Sequence, residues 1–444
     1  MANKQNGAIA RKTVNLVTLG CSKNLVDSER VLRLLDKAGF EAYHETDRPT
    51  DIVIVNTCGF IGDAKEESVN TILEFCGAKQ RGEVEELYVM GCLSQRYRDE
   101  LRAEIPEVDR WYGKFDWTSL ADDLARRHPA PHAYERRITT PSHHAYLKIS
   151  EGCNRFCAFC AIPLITGRHH SRPMEEIEAE VRSLVGEGVK EFNVIAQDLS
   201  SYGLDLYGEH RLAQLTERIS DIEGVEMIRL HYAYPADFPM DILPVIRERR
   251  NVAKYLDIAL QHISDNMLSA MRRHITADET RRLLDEIRRQ VPGIHIRTTL
   301  MVGFPGETEE DFEQLLDFVR EQRFERMGAF AYCEEEGTYA ALNLPDNVPA
   351  EVKQQRLDRL MALQEEISLE IQQQKVGQTL DVIIDSRDDE YYTGRTQFDS
   401  PEVDPEVLIP VDSAEAEIGG LYPVTITEAM PFELIGRISG LSKK

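Results

Sequence analysis

The sequence predicts an α/β chain in three parts: an N-terminal parallel-sheet α/β domain, a central incomplete (β/α)6 barrel and a small C-terminal antiparallel β-barrel. Three observations carry this. Short apolar runs alternate with helical patterns through most of the chain, a second set of six such units follows a proline-rich break, and after Val376 the pattern changes to short alternating strands. The length of 444 residues agrees, since it corresponds to about three domains. No apolar run approaches the roughly 18 residues of a membrane span, and the start Met-Ala-Asn-Lys-Gln-Asn-Gly lacks a signal-peptide core, so a cytoplasmic, membrane-free protein is expected. Eight cysteines in a reducing compartment point to metal binding or catalysis rather than to disulfides.

Residues 1–10 read as a flexible tail and 11–126 as the first domain. Here one design occurs three times: Val14-Asn-Leu-Val-Thr-Leu-Gly-Cys21, Asp51-Ile-Val-Ile-Val-Asn-Thr-Cys58 and Glu86-Leu-Tyr-Val-Met-Gly-Cys92. Each is a strand ending in a cysteine, followed by a helical pattern such as Asp27 to Ala38 or Ala64 to Phe75. Right-handed crossovers would bring the three strand ends to one edge, the crevice where open α/β sheets bind ligands. Helix N-termini following the cysteines would favour thiolate. The competing reading is three buried cysteines acting as small hydrophobes. Cys76 and Cys333 fit neither pattern and are expected to be structural thiols. Asn24 and Asp27 could line the site, with helix capping as the alternative for Asp27.

Residues 127–142, with three prolines and no period, predict a linker, and the adjacent His143 and His144 a solvated turn. The barrel is expected over 143–375, with strands near 145–149, 191–196, 226–231, 255–260, 294–302 and 327–332. Ser171 is the expected N-cap of the first intervening helix, with Pro173 just inside and Gly186 or Gly188 as its stop. Chemistry in such barrels sits at the carboxyl ends of the strands. Gln197 and Asp198, Gln261 and His262, Arg297 and Thr299, and Tyr332 are the polar residues expected there. Glu307 to Gln322 and Ala350 to Lys375 read as long amphipathic helices.

After the first barrel strand stands Cys153-Asn-Arg-Phe-Cys157-Ala-Phe-Cys160. Three thiolates on one loop can hold three corners of a cubane iron–sulfur cluster and leave the fourth iron open. Zinc competes for such ligands, but its structural sites take four, and no fourth Cys or His sits at matching spacing; His169 and His170 are nearest. The Cys-x-x-x-Cys-x-x-Cys spacing, with Phe159 before the last cysteine, resembles the radical S-adenosylmethionine (SAM) enzymes. The resemblance implies that Cys153, Cys157 and Cys160 hold a 4Fe-4S cluster whose open iron chelates SAM, which is cleaved to a 5′-deoxyadenosyl radical. It also implies SAM contacts from Phe159, Gln197, Asp198, Gln261 and Arg297, and a nucleoside-contacting loop at Val302-Gly-Phe-Pro-Gly-Glu-Thr.

Joined to this motif, Gly-Cys-Ser-Lys-Asn, Asn-Thr-Cys-Gly-Phe and Met-Gly-Cys-Leu in the first domain resemble the methylthiotransferases, which replace C–H by C–SCH3. That resemblance implies a second, auxiliary 4Fe-4S cluster on Cys21, Cys58 and Cys92, two SAM molecules per product, and both sites facing one cavity. Residues 376–444 resemble the TRAM domain that ends these enzymes, yet they carry fourteen acidic and five basic residues. An RNA-reading barrel should show the opposite sign. One branch of the family modifies tRNA adenosine and another the β-carbon of an aspartate in a small-subunit ribosomal protein. Acidity, Ile195-Ala-Gln-Asp-Leu-Ser-Ser-Tyr-Gly and Ser400-Pro-Glu-Val-Asp-Pro-Glu-Val favour the second, although Pro405 stands where glycine is usual. The expected partners are therefore a basic small-subunit ribosomal protein, free or on the ribosome, and an electron donor; tRNA is disfavoured. The whole-chain charge of -25 suits basic partners, and adaptation to high salt would produce the same composition. A zinc-bound, non-enzymatic scaffold for RNA or ribosomes is the alternative outside enzymology.

Overall fold

The computed structural model describes residues 12–124 and 135–440. The expected tail over 1–10 and the linker portion over 127–134 lie outside the described residues. The chain forms two compact bodies, one reaching to Thr139 and including Leu164–Thr166, the other comprising the rest.

The first body is built on a parallel sheet of β1 (Thr13–Thr18), β2 (Glu41–His44), β3 (Ile52–Thr57), β4 (Glu86–Gly91) and β5 (Arg110–Trp111), in the order β2-β1-β3-β4-β5. The sequence shows β1, β3 and β4, whose apolar runs are long. The edge strands β2 and β5 are four and two residues long and largely not buried, so they leave little apolar signal. The pleat sends alternate residues of β3 to opposite faces. Ile52 and Ile54 pack with Val14, Leu16, Val31 and Leu35, whereas Val53 and Val55 pack with Ile72, Cys76, Leu87 and Val89. Cys76 is thus a core thiol, as expected. The helices α1 (Ser22–Lys37), α2 (Gly62–Gln80) and α3 (Cys92–Glu104) leave the carboxyl ends of β1, β3 and β4.

The second body opens with β6 (His144–Lys148), followed by a small hairpin of β7 (Ser150–Glu151) and β8 (His170–Ser171). β9 (Glu191–Ile195), β10 (Met227–Ala233), β11 (Val252–Ile258), β12 (His295–Val302) and β13 (Arg326–Ala331) complete a parallel sheet ordered β13-β12-β11-β10-β9-β6. Six strands in chain order with intervening helices, not closed on themselves, form the expected incomplete barrel. Ser171 is not the helix cap, because the helix Met174–Gly186 starts from Pro173 while the Ser171 hydroxyl donates to Asp205 Oδ1 at 2.6 Å.

The last part contains β14 (Thr379–Arg387), β15 (Tyr391–Arg395), β16 (Glu406–Pro410), β17 (Leu421–Ala429) and β18 (Glu433–Ile438). They close into a barrel ordered β14-β15-β16-β18-β17, filled by Val382, Ile384, Tyr392, Val407, Ile409, Val424 and Ile426. It departs from the expected antiparallel form at one seam, where β16 and β18 run parallel. Five is odd, and an odd number of strands cannot close with every pair antiparallel.

This small barrel seats on the amino ends of the six parallel strands. Arg395 grips Glu191, the first residue of β9, through two bonds of 3.0 and 2.9 Å and also binds Asp385 at 2.6 and 2.8 Å. Arg229 on β10 joins Glu191 from the other side. Asp404 accepts from Tyr255 on β11 at 2.8 Å and from Arg297 on β12 at 3.2 Å, and Asp399 pairs with Arg326 on β13. His143 and His144 are buried beneath the same contact, with His143 Nε2 2.7 Å from Asp385 Oδ1, so the solvated turn expected for them is incorrect. The partner of His143 lies 242 residues away in sequence, beyond the reach of any local pattern. Asp385, Asp399 and Asp404 serve this internal contact, which removes them from the acidic face available to a partner. Pro405 leaves the loop able to deliver Asp404.

Burial alone would raise the pKa of Glu191, but Arg395 and Arg229 hold it well below the usual carboxylate range. At Asp399 burial likewise opposes ionisation, and the charges of Arg326 and Lys375 prevail, bringing it to about 2. Removing one partner of a buried pair strands the other charge, so Arg395→Met is expected to lower stability by about 3–5 kcal/mol in urea unfolding. Because Asp399 titrates below its ordinary 3.8, its stabilisation is present above that value and lost as pH falls toward about 2. The stability difference between the wild type and Asp399→Asn should therefore shrink across that interval.

Candidate metal centres and cofactor site

In the first body the strand ends bring Cys21, Cys58 and Cys92 together. Cys21 is the N-cap of α1, Cys58 follows β3, and Cys92 opens α3 directly after β4. Two glycines permit the approach. A Cβ on Gly20, whose φ is +92°, would lie 2.8 Å from the Cys58 Cβ and 2.9 Å from its sulfur. One on Gly59 would lie 2.6 Å from the Leu93 nitrogen and 2.8 Å from the Cys92 carbonyl carbon. Asn24, 1% exposed, ties the three ends together: its Nδ2 donates to Leu19 O at 3.0 Å and Thr57 O at 3.1 Å, and its Oδ1 lies 3.4 Å from Cys92 Sγ.

The three thiols sense one another electrostatically. Burial raises the Cys58 thiol, and the charge of Cys21 adds to this. Burial pushes Cys92 up to about 12 against the pull of Lys114, with Cys21 and Cys58 adding repulsion. At Cys21 the loss of hydration is outweighed by Lys23 and Lys114, and the thiol is lowered. Three sulfurs that resist joint ionisation suit a multivalent cation, which stabilises all three thiolates together. Asp27 is no helix cap; it lies within α1, buried, with its Oδ2 2.8 Å from Lys114 Nζ. Lys114 follows β5 and leaves no pattern in the sequence that marks it.

In the second body, Cys153, Cys157 and Cys160 lie on the loop after β7. The loop is bound by its backbone: Cys160 N–H donates to Cys157 O at 3.1 Å, Ala158 N–H to Met271 O at 2.9 Å, and Arg155 N–H to Cys153 Sγ at 3.5 Å. Burial pushes Cys153 up to about 12, and Asp198 and Cys157 reinforce the shift. Cys160 is also raised, by burial and then by Cys157. Phe159 packs edge-on against Phe304 of the Gly-Phe-Pro-Gly loop at 6.4 Å between centroids, and Phe304 against Tyr332 at 5.1 Å.

The other polar residues separate into two groups. Gln197 donates to Glu151 Oε2 at 2.7 Å, while its buried Oε1 lacks a partner. Gln261 also has an unpartnered buried Oε1, and its backbone, at φ +71°, is fixed to β12 through Thr299 O at 3.0 Å and Met301 N at 2.7 Å. Such orphan carbonyls, at or just beyond the carboxyl ends of β9 and β11, fit a ligand that carries hydrogen-bond donors, as SAM does. Asp198 has its partners already: Arg155 Nε at 2.7 Å and Ser200 N at 2.9 Å. It braces the cysteine loop. Arg297 belongs elsewhere. It is near the amino end of β12, bound to Asp404, and the expectation that it lies with the SAM contacts is corrected by this placement. The position within the strand decides which end a side chain serves, and the apolar pattern blurred that position.

His262 is fully buried and engaged by Glu307 at 3.1 Å, and His169 Nε2 is taken up by Ser171 Oγ at 3.1 Å. Cys333, expected to be a structural thiol, is exposed. His143, His144 and Asp385 could together supply ligand atoms within 4.8 Å, but Arg395 already holds both Asp385 oxygens.

Residues 13–113 match the uncharacterized protein family UPF0004, residues 147–319 the radical SAM superfamily, and residues 376–438 the TRAM domain. A protein of Phocaeicola vulgatus named ribosomal protein uS12 methylthiotransferase RimO is 61% identical over 429 residues, covering 96% of this chain and 99% of that protein. Proteins of the same name from Porphyromonas gingivalis and Christiangramia forsetii are 60% and 49% identical, over 96% and 97% of this chain and 99% and 95% of theirs. Among solved structures, the radical S-adenosylmethionine methyltransferase TsrM of Kitasatospora setae superposes with a TM-score of 0.55 at 16% identity, covering 72% of this chain and 75% of that one. The likeness to TsrM concerns the fold. Among the described residues, no helix is long and apolar enough to cross a membrane.

Because the Gly20 position has neither the backbone freedom nor the space for a side chain, Gly20→Ala should displace Cys58. Iron bound after anaerobic reconstitution should fall by about half, the same loss expected for Cys58→Ala, while Gly39→Ala, which meets nothing within 4 Å, should retain it.

Proposed function

We propose, from the premise that the chain belongs to the family of ribosomal protein uS12 methylthiotransferases, that it replaces a hydrogen on the β-carbon of a uS12 aspartate by a methylthio group. Many reactions use a radical SAM domain. The observation that carries this particular reading is the second thiol triad, Cys21, Cys58 and Cys92, gathered by the strand ends and by Asn24.

In this reading Cys153, Cys157 and Cys160 hold one 4Fe-4S cluster with an open iron, and Cys21, Cys58 and Cys92 hold the auxiliary cluster. When bound, these groups with SAM supply a hydrogen-abstracting radical and a site for the sulfur to be methylated and transferred. The chain's own residues bind and orient. The unpartnered carbonyls of Gln197 and Gln261 accept from SAM, Phe159 and Phe304 form an apolar wall, and Asp198 fixes the cysteine loop through Arg155. Asn24 maintains the spacing of the auxiliary ligands, and Lys114 offsets part of their charge. A substrate of this kind implies a cytoplasmic enzyme, served by an electron donor and acting on uS12 free or within the ribosome. The outward acidic residues of the small barrel, including Asp388, Asp389, Glu390, Glu415 and Glu417, suit a basic protein better than a phosphate backbone.

The test is transfer itself. Incubated with SAM, a reductant and either uS12 or adenosine-modified tRNA, the enzyme should give uS12 the mass gain of CH3S replacing H; transfer to tRNA alone would reject the proposal. Cys21→Ala should abolish transfer while leaving reductive SAM cleavage, whereas Cys157→Ala should abolish both.

A further inference from the structure

We propose that Arg273 is a positioning residue that sets the reduction potential of the cluster on Cys153, Cys157 and Cys160, by holding a guanidinium against the sulfur of Cys157. This rests on the assignment of that triad made above. Arg273 Nη1 donates to Cys157 Sγ at 3.1 Å, and its Nη2 donates to Ala259 O. The residue is 3% exposed. Its plane stacks on the ring of Tyr234 at 4.2 Å, and the Tyr234 hydroxyl donates to Arg273 O at 2.7 Å. The guanidinium is thereby fixed in position and orientation.

Its partners are unusual for a buried cation. Arg155, at 4.3 Å from the same tyrosine ring, has its charge answered by Asp198 at 2.7 Å and Asp237 at 3.4 Å. Among the described residues, Arg273 has no carboxylate within ion-pair distance; it meets a sulfur and a carbonyl. A buried charge without an opposite one is costly, and this one faces a residue placed to ligate an anionic group. Reduction adds one negative charge to a cluster held there. A fixed positive charge and a hydrogen bond on a ligand sulfur favour the reduced form over the oxidised form, and so raise the potential. Cys157 is distinguished in this way from Cys153, which receives a backbone N–H at 3.5 Å.

The test uses the full chain with Cys21, Cys58 and Cys92 replaced by Ala, so that one cluster is observed, in a redox titration followed by electron paramagnetic resonance. Arg273→Met should keep the iron and sulfide of its parent but show an at least tenfold lower ratio of reduced to oxidised cluster at a given potential, about 59 mV for one electron. Arg273→Lys, which keeps the charge without the planar donor, should recover part of the shift. An unchanged midpoint in Arg273→Met overturns the proposal. Should that variant hold no cluster, Arg273→Gln is titrated in its place, and an unchanged midpoint there overturns it equally. A parent without iron and sulfide would instead overturn the assignment of the triad, and the proposal with it.

Discussion

Thiolates repel one another, and this chain gathers three thiols at one point twice over. In neither triad can the sulfurs all ionise cheaply in the bare protein, since burial and their neighbours' charges oppose it at Cys58, Cys92, Cys153 and Cys160. The fold maintains the crowding by rigid means. In the first body three parallel strands end at one edge, and Asn24 bonds to two of those ends and touches a sulfur of the third. In the second, a loop of eight residues is braced by Asp198 through Arg155 and by the backbone of Met271. Such pre-organisation lowers the conformational cost of binding a polynuclear metal group.

The nearby cations are arranged differently at the two triads. Lys114 is neutralised in part by Asp27 and reaches the cysteines through Asn24, whereas the guanidinium of Arg273 bonds a sulfur directly. Hydrogen bonding to sulfur and local charge are the protein's means of tuning such centres. Under the proposed assignment one triad would deliver electrons to SAM and the other would handle sulfur, which gives reason to tune them separately.

Much of this was legible in the sequence, because the relevant signals are local. Cysteine spacing showed the loop triad, and the repeated strand with a terminal cysteine showed the sheet triad, since parallel connections bring equivalent strand ends to one edge. What escaped was whatever depends on partners distant in sequence. His143 and His144 have the local pattern of a polar turn, but both are buried, and His143 bonds Asp385, 242 residues away in sequence. Arg297 looked like a ligand contact because it lies on a barrel strand; only its pairing with Asp404 shows that it serves the opposite end. The acidity of the C-terminal part suggests a docking surface, yet three of its carboxylates, Asp385, Asp399 and Asp404, lock the small barrel to the strands beneath it. The short edge strands β2 and β5 bury too little to leave a pattern.

The measurement that bears most directly on the two-triad account is metal and sulfide stoichiometry after anaerobic reconstitution, compared between the wild type and two triple variants. The account predicts about eight irons and eight sulfides per chain in the wild type, and about four of each when either Cys21, Cys58 and Cys92 or Cys153, Cys157 and Cys160 are all alanine. Zinc without sulfide, or a triple variant that keeps the full complement, would contradict it.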